Sequence, residues 1–285
     1  MNYSMYHKTG TETLSAAGIA EAALDARLLL EFITGCDHNT LYAHPEKEVS
    51  DEEGRRYKQL IAKRAEHIPL SHLTQTASFM GIDFCVSDKV LTPRQDSECL
   101  VEEAMRYVND GSDILDLCTG SGCLLLSLMH YKNNCRGIGV DISKEALVLS
   151  RKNAAGLEEA DALNGGSVSF IEGDMFGALE DDQKFDVIIS NPPYIRSGEI
   201  ETLMPEVRDH EPRIALDGGE DGLSFYRTIA KCAPRHLSRG GMLFLEIGYD
   251  QAEAVSHILA EAGFSDIQTV KDYAANDRVI TAKHP

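Results

Sequence analysis

The stretch Asp113–Met129, DILDLCTGSGCLLLSLM, reads as strand, tight turn and helix in seventeen residues. An apolar run leads to Gly120 and Gly122, and these let the backbone approach a ligand at the N-terminus of the helix CLLLSLMHY. A dinucleotide fingerprint needs a third glycine three residues after the second, where this chain has Leu125, so a nicotinamide or flavin dinucleotide is disfavoured.

The same alternation continues outward. Further strands are expected at Arg136 to Asp141, Val168 to Glu172, Phe185 to Ser190 and Met242 to Ile247, with the first at Asp113 to Cys118. The helices SKEALVLSRKNAAG and SFYRTIAKCAPRHL lie between them. This pattern predicts an α/β fold: a mostly parallel, doubly wound Rossmann-like sheet that binds ligands at the carboxyl ends of its strands. FSDIQTV and RVITAKH supply an antiparallel finish.

Ahead of the sheet, residues from about 11 to 70 read as a small helical bundle. AEAALDARLLLEFITG places Ala22, Leu24, Leu28, Leu29 and Phe32 near helical spacing and stops at Gly35. SDEEGRRYKQLIAKRAEH opens with Ser50 and Glu53 as a capping box. Phe79, Ile82, Phe84 and Val86 around Gly81 suggest a β-hairpin. The expected organisation is a helical domain at 1–74, a hairpin connector at 75–95 and a catalytic domain at 96–285.

The 285 residues carry 27 Lys and Arg against 46 Asp and Glu, a net charge of −19 that opposes unaided binding to a nucleic-acid backbone. Seven cysteines, at 36, 85, 99, 118, 123, 135 and 232, form no Cys-x-x-Cys pair and fit reduced, buried thiols. No apolar run reaches the roughly 20 residues of a membrane span, and the N-terminal stretch MNYSMYHKTG holds no apolar signal core. A cytoplasmic monomer is expected.

Asp141 closes the second strand 21 residues after Gly120, where a carboxylate can accept hydrogen bonds from both ribose hydroxyls. Asp116 suits a nearby ammonium or sulfonium group. Asp174 and Met175 follow the third strand, where a carboxylate can take an adenine amino proton and a thioether can pack on the ring. With the turn Cys118, Thr119, Gly120, Ser121 and Gly122, these residues describe a pocket for S-adenosyl-L-methionine. The plainer reading, a tight turn with Asp141 as a helix cap, explains each feature singly. It does not explain three strand ends in register.

The fourth strand ends in FDVIISNPPYI. Asn191 offers an amide oxygen as acceptor, and Pro192, held extended by Pro193, fixes the direction of its own carbonyl. Two acceptors can thus grip the protons of a planar –NH2 group, and Tyr194 adds an aromatic face and a hydroxyl. Such a nitrogen is a poor nucleophile, because its lone pair is delocalised. It needs aim along the S–CH3 axis and acceptors that strengthen as charge develops. A Pro-Pro turn that merely ends a strand is the alternative for the motif taken alone.

DLCTGSG, the Asp141 strand end, GDMF and NPPY resemble the Rossmann-like methyltransferases that modify planar amino groups. HLTQTASFMGIDF, LTPRQDSECLVEEA, VRDHEPRIALDGGEDGLSFYRTI and KDYAANDRVI resemble more narrowly the release-factor glutamine methyltransferases, over nearly the whole chain. The resemblance implies methylation of the glutamine side-chain amide in the Gly-Gly-Gln loop of peptide chain release factors, with S-adenosyl-L-homocysteine as the product and translation termination as the process modulated. It also implies an N-terminal domain that helps bind the release factor. Cys118 through Gly122 would form the cofactor turn, Asp141 the ribose carboxylate, Met175 the adenine neighbour, and Asn191, Pro192, Pro193 and Tyr194 the amide grip. Cys118 stands where the family has glycine, so any contact there that needs a bare backbone is lost. A nucleic-acid adenine methyltransferase would share NPPY, but the acidic balance and the lack of a basic module oppose it. Arg94 is expected near the pocket mouth and Glu211 to Arg213 as a brace for the loop after NPPY, and for both structural ion pairing is at least as well supported as substrate contact. His67 and His72 carry no metal spacing.

Overall fold

The computed structural model describes residues 1–285, which divide into two compact units: Met1–Thr76 with Met204–His210, and Ala77–Leu203 with Glu211–Pro285. The first is helical, with α1 (Tyr3–Ala16), α2 (Ala22–Thr34), α3 (His38–Ala43), α4 (Asp51–Ala65) and α5 (Leu70–Thr74). Helix α1 starts well before residue 11, because the Asn2 side chain caps it by accepting from the Met5 N–H at 3.0 Å. Its buried positions, Tyr3, Tyr6, Gly10 and Leu14, keep helical spacing, but a glycine among them breaks the apolar signal. Gly35 ends α2 in the left-handed region, and Ser50 with Glu53 forms the expected capping box on α4.

The buried stripe of α2 differs from the expected one. Ala22, Ala26, Leu29, Leu30 and Ile33 face the core, whereas Leu24 and Phe32 are exposed. Both sets fit a helical period, and α1 and α4 select the first because alanine lets neighbouring backbone approach. Tyr57 of α4 confirms how close that approach is: its hydroxyl donates to the Ala26 carbonyl at 3.1 Å.

The second unit begins with a hairpin, β1 (Thr76–Phe79) and β2 (Ile82–Cys85), turned at Met80 and Gly81, both with positive φ. Then follow α6 (Glu98–Ala104), β3 (Asp113–Leu117), α7 (Cys123–Tyr131), β4 (Arg136–Asp141), α8 (Lys144–Glu159), β5 (Ser167–Glu172) and β6 (Phe185–Ser190). The chain ends with α9 (Pro205–Arg208, within the first unit), α10 (Ser224–His236), β7 (Leu237–Glu246), α11 (Ala252–Glu261), β8 (Ser265–Lys271) and β9 (Asp277–Lys283). The seven large-sheet strands lie in the order β5-β4-β3-β6-β7-β9-β8. The first five are parallel, and β9 and β8 close the edge antiparallel.

Alternate strand residues feed opposite faces. Val187, Ile189 and Phe244 pack with α6, α7 and α8; Leu117, Ile188 and Leu245 pack with α10 and α11. Three spans differ from expectation. β3 stops at Leu117, because Cys118 has φ 58° and leaves the strand. β5 begins one residue earlier, at Ser167. β7 starts at Leu237, which pairs with Phe185 across a register shift that the Gly240-Gly241 step obscures, and it ends at Glu246. All seven cysteines are free, but only Cys99, Cys123 and Cys135 are buried; the other four are partly exposed. No helix is long and apolar enough to cross a membrane.

Helices α1 and α4 interlock by a reciprocal rule. Tyr6 of α1 lies over Gly54 of α4, and Tyr57 of α4 lies over Gly10 of α1, with the two rings edge to face at 5.6 Å. A Cβ at either glycine would collide with the facing hydroxyl. Gly10→Ala is therefore expected to destabilise the chain by ~1–3 kcal/mol despite alanine's better helix propensity. A denaturant midpoint equal to or above wild type would show that the interlock yields freely.

Candidate active site

Parallel pairing sets the site. Leu117 of β3 pairs with Ser190 of β6, and Ser190 pairs with Leu245 of β7. The next residue of each strand, Cys118, Asn191 and Glu246, therefore stands abreast at one carboxyl edge. A cavity opens there, with Cys118, Gly120, Asp141, Asp174, Met175 and Asn191 in its wall beside Pro193. Val90, Leu91, Ile142, Ile214 and Phe225 supply apolar surface opposite. A wider polar groove at the other end of the strands, lined by Asp110, Asp186, Arg239 and Lys283, gathers none of these residues.

The turn after β3 is held from two sides. Cys118, Gly120 and Gly122 all have positive φ, at 58°, 55° and 80°. The first of these explains why glycine suits that position and makes Cys118 a locally strained substitute. Its thiol reaches the Met175 sulfur at 3.6 Å, and burial raises its pKa far above the usual thiol range. At Gly122 a Cβ would press on Leu126, Ser150 and Phe170 at 3.1 to 3.4 Å, so the turn must run bare against α8 and β5.

Asp141 ties the turn to β4. Its Oδ2 accepts from the Gly120 N–H at 2.8 Å and its Oδ1 from the Ser143 N–H at 2.9 Å. Burial raises its pKa, and these backbone bonds oppose the rise. Each oxygen keeps a further lone pair and Asp141 lines the cavity, so the carboxylate can brace the loop and still accept from a diol. Asp174 is exposed and precedes the short turn that carries buried Met175, without a side-chain cap hydrogen bond.

Not every expected residue reaches the wall. Thr119, Ser121, Gly122 and Pro192 are buried behind it. Asp116 is also fully buried: its Oδ2 accepts from the Thr119 hydroxyl at 2.6 Å, and Oδ1 has no partner. Tyr194 is half-buried beyond the cavity edge, its hydroxyl donating to Glu246 Oε1 at 3.3 Å. Arg94 pairs with the buried Glu211 at 3.0 Å, which is the structural ion-pair reading, and Leu91 rather than Arg94 forms the wall. His67 contacts Glu206 at 3.0 Å, alongside Arg64.

The Asn191 amide donates through Nδ2 to Ser97 Oγ at 3.2 Å, its Oδ1 has no partner within the protein, and the residue lines the cavity. The loop beyond is tied down by the Ile195 N–H donating to Leu216 O at 3.0 Å and by Gln251 Nε2 donating to Tyr194 O at 3.0 Å. Gly218 lies so near Pro193 O and Tyr194 Cα that a Cβ would sit 2.8 Å from each. Ser97 and Glu246 were not apparent from sequence. The available signal was an acid closing the otherwise apolar run MLFLE.

Two buried acids face this edge. Burial pushes Asp116 from 3.8 to about 7 against the pull of Thr119, with Asp141 adding to the rise. The native state thus keeps a proton that the unfolded chain releases, so stability falls as pH rises from about 4 to about 7. Asp116→Asn, neutral throughout, should gain up to ~4 kcal/mol on wild type at pH 8 relative to pH 4. Parallel stability curves for the two proteins across that range would refute the buried-acid assignment.

Comparison with known proteins places this geometry in a family. The PrmC N-terminal domain model matches residues 7–74, and a Methyltransferase domain model matches residues 108–214. The release factor glutamine methyltransferase of Geobacter sulfurreducens is 40% identical over 267 residues, 94% of this chain and 91% of its own. That of Caulobacter vibrioides is 40% identical over 271 residues, 94% and 92% of the two chains. Among solved structures, a methyltransferase from Pyrococcus furiosus superimposes with a TM-score of 0.55 at 20% identity, covering 78% of this chain and 98% of its own. The Thermus thermophilus 16S rRNA N2 G1207 methyltransferase, solved with AdoMet and guanosine, gives 0.51 at 21% identity over 74% of this chain and 50% of its own. These two solved structures establish the methyltransferase fold, and the near full-length identity to the first two relatives establishes more: the chain belongs to the release factor glutamine methyltransferase family.

Proposed function

We propose that the protein transfers a methyl group from S-adenosyl-L-methionine to the side-chain amide nitrogen of the glutamine in the Gly-Gly-Gln loop of peptide chain release factors, in the cytoplasm where those factors act. The observation that carries this reading is Asn191 in the cavity wall, its Nδ2 held by Ser97 and its Oδ1 left without a partner, one strand end away from the Gly120–Asp141 turn.

The residues fit the cofactor on physical grounds. Gly120 lines the cavity without a side chain, Asp141 offers lone pairs for a diol, and Met175 with Ile142 forms apolar wall. Bound there, the sulfonium supplies an electrophilic methyl. The chain's own residues do the rest. Asn191 Oδ1 accepts one amide proton of the glutamine, and the Pro192 carbonyl, which takes no hydrogen bond within the protein, is assigned the other although its ring is buried behind the cavity wall. Holding both protons aims the nitrogen, and both acceptors strengthen as positive charge grows on it; the N–CH3 bond would form as the S–CH3 bond breaks, with one nitrogen proton then released to solvent. The acidic charge of the chain favours a protein substrate over a nucleic acid. The helical unit is assigned to docking the release factor.

Incubation with labelled S-adenosyl-L-methionine and, separately, a release factor, its Gln→Ala loop variant and DNA tests the reading. Label is expected on the intact factor only, and label on DNA alone would overturn the substrate. In the same assay a chain lacking residues 1–74 should show a raised KM for the factor; an unchanged KM would remove the docking role. Asn191→Ala should lower kcat by ~100-fold or more while sparing cofactor affinity; normal turnover would sink the amide grip. Asp141→Ala should weaken cofactor binding by ~10-fold or more in calorimetry, so an unchanged Kd would count against the ribose role.

A further inference from the structure

An asparagine amide has two nearly isosteric ends, and only one of them suits the proposed reaction. With Oδ1 toward the cavity, Asn191 accepts a proton from the glutamine –NH2 group. Turned over, it would present its own –NH2 to that group, two donors facing each other. Something must therefore fix the sense of the amide.

Ser97 Oγ accepts from Asn191 Nδ2 at 3.2 Å. A hydroxyl has one proton, and a Ser97 that donated it to Asn191 would turn the amide the wrong way. The group that draws this proton elsewhere is Glu246. Its side chain is buried, Oε1 accepts from the Tyr194 hydroxyl at 3.3 Å, and Oε2 has no partner at full hydrogen-bonding geometry. Glu246 stands beside Asn191 at the next strand end, and the hydroxyl of Ser97, bonded to that same Asn191, lowers the pKa of its carboxyl. We propose that Glu246, as a carboxylate that can only accept, holds the Ser97 hydroxyl proton, and through Ser97 sets the Asn191 amide with its oxygen toward the cavity. Glu246 and Ser97 are thus positioning residues for the transfer, an assignment that rests on the amide-gripping role of Asn191 proposed above.

The device titrates. Protonated Glu246 can donate, the hydroxyl can reverse, and the amide can follow. Burial pushes Glu246 up to about 7, opposed by Ser97, Arg278 and Tyr194, while Asp96 adds to the rise. Arg278 in turn holds Asp272, and the thiols of Cys99 and Cys123 and the Tyr226 phenol complete the surroundings. Activity should therefore decline as pH falls through about 7.

The test compares wild type, Asn191→Ala, Ser97→Ala, Ser97→Thr and Glu246→Gln on a release factor, with melting curves and cofactor calorimetry for each. Ser97→Ala is expected to lose ~10- to 100-fold in kcat with cofactor Kd unchanged, and Ser97→Thr, which keeps the hydroxyl, to recover most of it. Glu246→Gln should lose rate and flatten the acid limb of the kcat profile between about pH 6 and pH 9. Wild-type kcat in Ser97→Ala, or equal losses in Ser97→Ala and Ser97→Thr at unchanged melting temperature, would overturn the inference. So would an acid limb that persists in Glu246→Gln, since it would then belong to another group such as Asp116. If Glu246→Gln does not fold, the two Ser97 variants decide. A wild type that labels no glutamine brings down the substrate reading and this inference together; a wild type that labels, matched by Ser97→Ala, brings down this inference alone.

Discussion

The in-register pairing of three parallel strands, with Leu117, Ser190 and Leu245 in one row, is the constraint from which the rest of the site follows. Because strands lie roughly 4.8 Å apart, residues one step past that row are neighbours however far apart they lie in the chain. Cys118 starts the proposed cofactor turn, Asn191 starts the proposed amide grip, and Glu246 sits beside Asn191. A shift of one residue in any pairing would also exchange the two faces of that strand, moving Leu117, Ile188 or Leu245 out of their packing against α10 and α11. The apolar cores thus enforce the same register that the chemistry needs.

Positioning at the strand ends must persist into the loops, where no ladder continues. The loop after Asn191 is held by a parallel bridge between Ile195 and Asp217, by Gln251 on the Tyr194 carbonyl, and by the close approach at Gly218. Glu211 adds a second brace: its buried carboxylate bonds Arg94 at 3.0 Å and accepts from the Thr92 N–H at 3.3 Å, linking the strap before α6 to the segment before Leu216. These contacts join parts of the chain that are distant in sequence. Rigidity of this kind matters because a misplaced acceptor loses both aim and charge stabilisation.

Much of this was legible in the sequence. Short apolar runs gave strands, because a strand buried on both faces tolerates few polar residues. The Ser50–Glu53 box and Gly35 marked helix ends through purely local hydrogen bonding and backbone freedom. What escaped was chosen by tertiary packing. Leu24 and Phe32 share a helical period with the true stripe, and only the Tyr–Gly interlock of α1 and α4 shows where α2 must face. Ser97 escaped because its partner is 94 residues away and a lone serine before a helix usually serves as a cap. Glu246 showed only as an acid out of place in an apolar run.

The two buried acids make the final point about energetics. Asp116 and Glu246 are each raised to about 7 by burial and each retains an oxygen without a partner, so both increasingly destabilise the native state as pH rises from about 4 to about 7. An apolar residue of similar size would cost nothing of this kind, and neither acid is needed to close a ladder or cap a helix. Their cost is intelligible at the carboxyl edge of the sheet, where a preorganised negative charge can fix the sense of neighbouring hydroxyls and oppose the positive charge that methyl transfer brings. In water, side chains free to reorient would supply neither. The desolvation that makes these carboxyls unfavourable is also what makes their fields strong enough to orient the Thr119 and Tyr194 hydroxyls that donate to them.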